Sequence, residues 1–123
     1  MSPLENLIAE YLELQGFLVR TNQKVGRRAG GGWEMELDVV GYDPKSRTVV
    51  HYEPSIDGFS WAKREARYLK KFNAARNYIF TEIFPWLPPT TPLSHIAVFV
   101  SHPKGRTLGV GIRYNHRLTS PLA

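Results

Sequence analysis

The feature that most constrains this fold is a strand–turn–strand pattern in residues 33–55, which read WEMELDVVGYDPKSRTVVHYEPS. Polar and apolar residues alternate over residues 35–40, which predicts a strand. A β-branched run over residues 48–52 predicts a second strand, and the Asp-Pro-Lys-Ser segment at 43–46 predicts a turn between them. The pattern therefore predicts a β-hairpin around which the rest of the chain is arranged.

Acidic side chains occupy positions in this hairpin that a buried sheet normally fills with apolar residues. Asp38 lies in the first strand, and Glu53 stands at the end of the second. A meander of this kind brings Asp38 and Glu53 close enough to share one cation. The predicted faces of the first strand are Met35, Leu37 and Val39 on one side, and Glu36, Asp38 and Val40 on the other.

Composition bounds the class of protein. The 123 residues predict one domain, 1–123, and the absence of cysteine excludes disulfides and thiolate metal sites. No segment has the roughly eighteen apolar residues of a membrane helix, and residues 1–15 lack the features of a signal peptide. A cytoplasmic protein is the expectation.

The net charge of +5 indicates a polyanionic partner. Ten of the sixteen cations are arginine, whose planar fork bonds two phosphate oxygens. The loop at residues 26–32 holds Arg27 and Arg28 beside a glycine triplet, and it reads as a flexible hairpin connection or as a loop that contacts DNA.

Two helices are predicted. The first, residues 1–15, has Ser2 as its cap, Pro3 at its first position and Glu5 completing a capping box, which alone accounts for Glu5. Its apolar stripe is Leu4, Leu7, Ile8, Tyr11, Leu12 and Leu14.

The second helix, residues 60–79, is basic, and Glu65 is its only acid. Such a charge run is either a solvated face or a surface that binds phosphates. Its predicted buried stripe is Ala62, Ala66, Leu69, Phe72, Ala75 and Ile79. Its bases are Lys63, Arg64, Arg67, Lys70, Lys71 and Arg76.

The strands complete an α/β fold. A strand meander is predicted over residues 17–55, with its acidic site, and closing strands over 93–115, followed by a frayed tail. Four prolines make residues 81–92 irregular. The order helix, three strands, helix, two strands favours a sandwich with a central mixed sheet.

Several kinds of catalytic site are excluded by the residues present. The four histidines are not paired at zinc-ligand spacing, and the chain has no nucleophile elbow and no HExxH segment. Converging carboxylates are instead the usual ligands of Mg²⁺ or Mn²⁺. Asp38 and Glu53 also have a simpler interpretation, as solvated charges that face a turn.

Three spaced motifs carry a resemblance. Glu5 on the first helix precedes the glycine, aromatic and aliphatic residues of 16–19. An acidic strand of the form E-x-D followed by aliphatics occupies residues 36–40. After the turn, residues 49–55 read VVHYEPS, where the pattern has aliphatics followed by E-x-K.

Together with the basic second helix, these motifs make residues 4–71 similar to the PD-(D/E)xK nuclease superfamily, the restriction-endonuclease-like fold. The closest pattern is that of its Holliday junction resolvase and small-nuclease branches. The resemblance implies an α-β-β-β-α-β(-β) sandwich that hydrolyses nucleic-acid phosphodiester bonds with Mg²⁺ or Mn²⁺. It also implies a DNA partner and a homodimer, because resolvase-like members often act as dimers.

The resemblance further implies roles for individual residues. Asp38, Glu53 and the Pro54 carbonyl would hold the metal, and Glu5 would assist through water. Glu36 would be a second supporting acid. Ser55 stands where the motif has its catalytic lysine, so that group has to come from elsewhere. The candidates are Lys63, on the first turn of the following helix, then His51, then Lys70.

Three functions remain open from the sequence. The first is a divergent metal-dependent endonuclease whose catalytic residues are Glu5, Asp38, Glu53 and Lys63. The second is a catalytically degenerate nucleic-acid-binding module on the same fold, for which Ser55 argues. The third is an interaction subunit that uses the Pro-rich segment around Trp86. The residues predicted to contact nucleic acid are Arg27, Arg28, Lys63, Arg64, Arg67, Lys70 and Lys71.

Overall fold

The computed structural model describes residues 2–55, 61–101 and 109–118. In chain order its elements are α1 (Pro3–Leu14), β1 (Leu18–Arg27), β2 (Trp33–Asp43), β3 (Thr48–Ser55), α2 (Trp61–Tyr78), β4 (Leu93–Ser101) and β5 (Gly109–Leu118). A π-helical turn, Ile79–Ile83, extends α2. The predicted order of helices and strands is confirmed. Within the described ranges, neither helix has both the length and the apolar character needed to cross a membrane.

The five strands form one sheet in the order β1-β2-β3-β4-β5. Neighbouring strands are antiparallel except β3 and β4, which are parallel. A parallel pair needs a crossover, and α2 lies between these two strands in the sequence. The protein is therefore an α/β protein with a mixed sheet, as the sequence predicts.

Strict alternation fails in the middle of β2. Leu37 and Val40, predicted on opposite faces, belong to the same buried cluster. The interruption falls at Asp38, between the register pairs Thr21↔Val39 and Gln23↔Leu37. Asn22 stands opposite it on β1, and its φ of 51° is in the left-handed region. An asparagine tolerates this backbone better than most residues. The face assignment for this strand is therefore wrong beyond Leu37.

Helix α1 begins as predicted, because the Ser2 hydroxyl accepts the Glu5 N–H at 3.2 Å. Its predicted apolar stripe is only partly buried. Ala9 and Leu12 are buried, whereas Leu14 is 89% exposed. At about 100° per residue, Ala9 and Leu12 point to the side opposite the exposed residues. The exposed apolar residues of α1 are Leu7, Tyr11 and Leu14.

Helix α2 is rotated from the predicted phase. Tyr68, Phe72 and Ala75 are buried, whereas Leu69, predicted to be buried, is 50% exposed. Ala66 is also exposed. This phase places Lys71 beside the buried stripe instead of on the solvated face, and the acidic site depends on that difference.

The end of the chain differs from the prediction. Residues 115–118, predicted as a frayed tail, form the end of β5 and pair with residues 93–96 of β4. The predicted start of the second helix at residue 60 and the last residues of the predicted tail, 119–123, lie outside the described residues.

Candidate functional site

The site lies where β2 and β3 stop pairing. Their ladder runs from Asp43↔Thr48 to Val39↔Tyr52, and Asp38 and Glu53 follow at its open end. There the Asp38 N–H donates to Glu53 Oε2 at 2.9 Å. A carboxylate side chain thus accepts a hydrogen bond at the point where the strand ladder ends.

Lys71 of α2 reaches both acids. Its Nζ lies 2.8 Å from Glu53 Oε1 and 3.5 Å from Asp38 Oδ1. The structure therefore brings Asp38 and Glu53 together around one positive charge. The sequence predicts Lys71 only as a phosphate contact, because the phase of α2 against the sheet decides which lysine turns inward.

Burial sets the charge balance of the three groups. Burial, then the neighbouring Glu53 carboxylate, raises the pKa of Asp38 to about 7. Burial also raises the pKa of Glu53, against the lowering effect of Lys71. Burial lowers the pKa of Lys71, but the Glu53 and Asp38 carboxylates outweigh it and leave that pKa above its usual value. The lysine therefore stays charged and holds the pair together.

Two buried histidines extend this cluster into the core. His51 Nε2 lies 2.7 Å from Glu53 Oε2, and His51 Nδ1 lies 3.1 Å from His95 Nδ1. Burial, then the Lys71 charge, lowers the pKa of His51 to about 3, so the ring is neutral at pH 7. The Glu53 carboxylate then requires a proton on Nε2, and the network assigns His95 Nδ1–H as donor to His51 Nδ1.

His95 was not predicted as part of the site. It lies beside His51 because β3 and β4 pair in parallel, with His51 opposite His95. Phe72 of α2 packs on both rings, with centroids 5.6 Å from His51 and 4.8 Å from His95. The register of strands joined by a crossover helix has no local sequence signal, so this pairing could not be read from the chain.

Asn22 links two further acids. Its side-chain amide donates to Glu5 Oε1 at 3.2 Å and to Glu36 Oε2 at 3.1 Å. Glu5, predicted to assist the metal site, is therefore held beside Glu36, two positions before Asp38. Sequence analysis assigned no role to Asn22, although asparagine at a strand interruption is a recognisable signal.

The predicted substitute for the motif lysine lies elsewhere on α2. Lys63 is exposed and stands eight residues before Lys71, about 12 Å along the helix axis. Lys70 is also exposed, and Pro54 is half-buried in β3. The side chains of Ser55 and Arg64 lie outside the described residues. The other predicted nucleic-acid contacts, Arg27, Arg28 and Arg67, are exposed.

The donor set suits a hard divalent cation. Among the described residues, no group of three or more histidine, aspartate or glutamate side chains could hold a metal ion. Mg²⁺, however, is commonly held by one or two carboxylates and keeps several waters. Asp38 and Glu53 already converge on one cation, the Lys71 ammonium.

Comparison of the chain with protein families, with curated proteins and with solved structures finds no match.

Proposed function

We propose that the protein is a divergent Mg²⁺- or Mn²⁺-dependent endonuclease that hydrolyses nucleic-acid phosphodiester bonds on a restriction-endonuclease-like fold. One observation carries the proposal: Asp38, Glu53 and Lys71 converge at the open end of the β2–β3 pair. Two acids and a lysine are the residue types of the motif that the sequence resembles, and the order of helices and strands agrees with the order that this resemblance implies.

Each group has a distinct proposed role. Asp38, Glu53 and the Pro54 carbonyl would hold the metal, which when bound would supply an activated water and stabilise charge on the phosphate. Ser55 stands where the motif has its lysine, and Lys71 takes over the role of that lysine. The Lys71 ammonium stabilises negative charge that develops on the phosphate. This role moves the catalytic lysine from Lys63, the sequence prediction, to Lys71.

The supporting residues follow from the same arrangement. Asn22 fixes Glu5 beside Glu36, where Glu5 can position water through its carboxylate. His51 holds Glu53 Oε2 from the core side. Basic residues on α2 and the β1–β2 loop bind phosphates of the DNA backbone. They are Arg27, Arg28, Lys63, Arg64, Arg67 and Lys70.

The proposal includes the setting of the protein. A homodimer is the working form, because a 14.0 kDa protomer is small for spanning DNA alone. A cytoplasmic location agrees with the absence of cysteine, which suits a reducing compartment.

A second candidate is a catalytically degenerate nucleic-acid-binding module, and a specific observation favours it. Lys71 already lies within reach of both acids, and both Glu53 oxygens accept hydrogen bonds, from Lys71 on one side and from Asp38 N–H and His51 on the other. An acid pair satisfied in this way is stable without a metal. In this candidate the basic residues bind nucleic acid and no bond is cut.

Cleavage assays separate the two candidates. Supercoiled plasmid and branched DNA are incubated with the protein in Mg²⁺ and in Mn²⁺, alongside Asp38→Asn, Lys71→Met and the turn variant Asp43→Asn. If the protein is an endonuclease, Asp38→Asn abolishes cleavage and Lys71→Met lowers the cleavage rate by about 10²- to 10⁴-fold. Asp43→Asn cleaves as the wild type does. Metal-independent DNA binding with no cleavage by the wild type would refute the endonuclease and support the binding module.

A further inference from the structure

The tip of the β1–β2 hairpin presents an aromatic ring with an arginine against it. Trp33 pairs with Arg27 across the hairpin, and the Arg27 guanidinium carbon lies 5.7 Å from the centre of the indole ring. The Trp33 side chain remains 40% exposed, and Arg27 and Arg28 are both exposed. Core packing alone does not account for a tryptophan in such a position.

The tip has a defined conformation. Its loop is closed by hydrogen bonds from Arg28 N–H to Gly32 O and from Gly31 N–H to Arg28 O, each 3.0 Å long. Gly31 and Gly32 have φ of 104° and 79°, which side chains rarely adopt. The arginines are therefore carried on a closed turn.

The base of the tip is fixed to the helical layer. Gly26 N–H donates to both carboxylate oxygens of Glu82 at 3.3 Å, and the Tyr78 hydroxyl donates to Glu34. A Cβ at Gly26 would come within 3.0 Å of the Tyr78 ring, so the hairpin and α2 are in close contact. The exposed ring is thus held on a supported hairpin, which reduces the entropy lost when a ligand binds.

The chemistry of this surface fits a nucleic-acid strand whose bases are unpaired. An exposed aromatic ring stacks on any base, since every base has a π face, and neighbouring arginines bond the phosphates. Bases within a duplex are already stacked on one another and do not offer that face. Phosphates alone would need only the arginines, so the indole ring is the feature that distinguishes the two kinds of substrate.

We propose that Trp33, with Arg27 against its ring and Arg28 in the same loop, is a stacking site for an unpaired base of a single-stranded DNA segment. The inference rests on the proposed function and names the form of its substrate. Asp38 lies five positions after Trp33 along β2, about 17 Å at strand spacing. Even at the 3.4 Å spacing that each strand has in a duplex, about five nucleotides cover that distance, so one strand of twelve nucleotides can reach both sites.

Binding measured in EDTA tests the stacking site without cleavage. The probes are a fluorescent thymidine dodecamer, an abasic dodecamer with the same backbone, and a twelve-base-pair duplex. Wild type is expected to bind the thymidine dodecamer more tightly than either other probe. Trp33→Leu is expected to weaken thymidine binding by about 5- to 150-fold and to leave abasic binding unchanged. Trp33→Phe, which keeps an aromatic ring, should retain most of the affinity.

Two controls make the result specific. Trp86→Leu removes another exposed tryptophan, which packs on Tyr42 and Phe84, and should bind all probes as the wild type does. The double variant Arg27→Gln, Arg28→Gln should weaken thymidine and abasic binding by the same factor. Circular dichroism and urea unfolding of each variant establish that it is folded.

The outcomes separate this inference from the endonuclease proposal. Equal binding of thymidine and abasic strands by the wild type, or unchanged binding in folded Trp33→Leu, would overturn the stacking site even if the protein cuts DNA. Loss of thymidine binding in Trp33→Leu supports the stacking site even if no metal produces cleavage. In the latter case only the endonuclease fails.

Discussion

Strand β2 carries an aspartate at each end of its pairing with β3, and the two behave in opposite ways. Asp43, at the turn, accepts hydrogen bonds from Ser46 Oγ at 2.8 Å and from Lys45 N–H at 3.0 Å. These bonds, the Ser46 hydroxyl first, lower its pKa. Asp38, at the open end, has its pKa raised to about 7 by burial and by Glu53.

The difference teaches which interactions a sequence can specify alone. Asp43 is satisfied by residues two and three positions ahead, as in any turn that starts with aspartate. Asp38 depends on Glu53 from the next strand and on Lys71 from a helix thirty-three positions away. A turn aspartate stabilises local structure, whereas a buried pair is costly to desolvate, and buried acids with raised pKa values are candidates for a functional site.

The largest effect is expected from Lys71→Met. The change leaves Glu53, which is 2% exposed, without its cation, and should lower the free energy of unfolding by about 3 kcal/mol. Urea unfolding at neutral pH measures it. Lys70→Met, at the exposed neighbouring position, is the matched control, and its free energy of unfolding should stay within about 0.5 kcal/mol of the wild-type value. Equal losses in the two variants would mean that Lys71 is an ordinary surface lysine.

A smaller loss is expected from His51→Phe. The phenyl ring keeps an aromatic side chain against Phe72 but removes the hydrogen bonds to Glu53 and His95. Because Glu53 and His95 each lose a buried hydrogen-bond partner, the free energy of unfolding should fall by about 2 kcal/mol. Urea unfolding again measures the change. A variant as stable as wild type would show that Glu53 does not depend on the histidine.

The smallest effect is expected from Asp43→Asn, and it should depend on pH. Because the folded pKa of Asp43 is lowered, its ionised form contributes stability above the unfolded pKa of about 3.9. That contribution is lost as pH falls through the folded pKa. The free energy of unfolding of the wild type should therefore be slightly larger than that of the variant at pH 7, and this difference should shrink at about pH 3. Urea unfolding at the two pH values measures it. A difference that grows on acidification would contradict the assignment of the turn.

Much of the fold could be predicted because its signals are local. The Ser2 cap fixes the start of α1, and the segment at 43–46 fixes the turn between β2 and β3. The closeness of Asp38 and Glu53 follows from that turn, since it sets which residues of the hairpin face each other.

The rest of the site could not be predicted because it depends on packing between distant elements. Lys63 and Lys71 both lie on a basic helix, and only the burial of Tyr68 and Phe72 decides which one meets the sheet. His95 joins the site through a parallel register set by a crossover. The faces of β2 were misjudged because one left-handed residue, Asn22, interrupts the neighbouring strand.

A titration with Mn²⁺ tests most directly whether Asp38 and Glu53 form a metal site. Isothermal titration calorimetry compares wild type, Asp38→Asn and Asp43→Asn at neutral pH. The two-carboxylate site predicts one Mn²⁺ per chain in wild type and Asp43→Asn, and loss of that binding in folded Asp38→Asn. Unchanged Mn²⁺ binding in Asp38→Asn, or none in wild type, would contradict it.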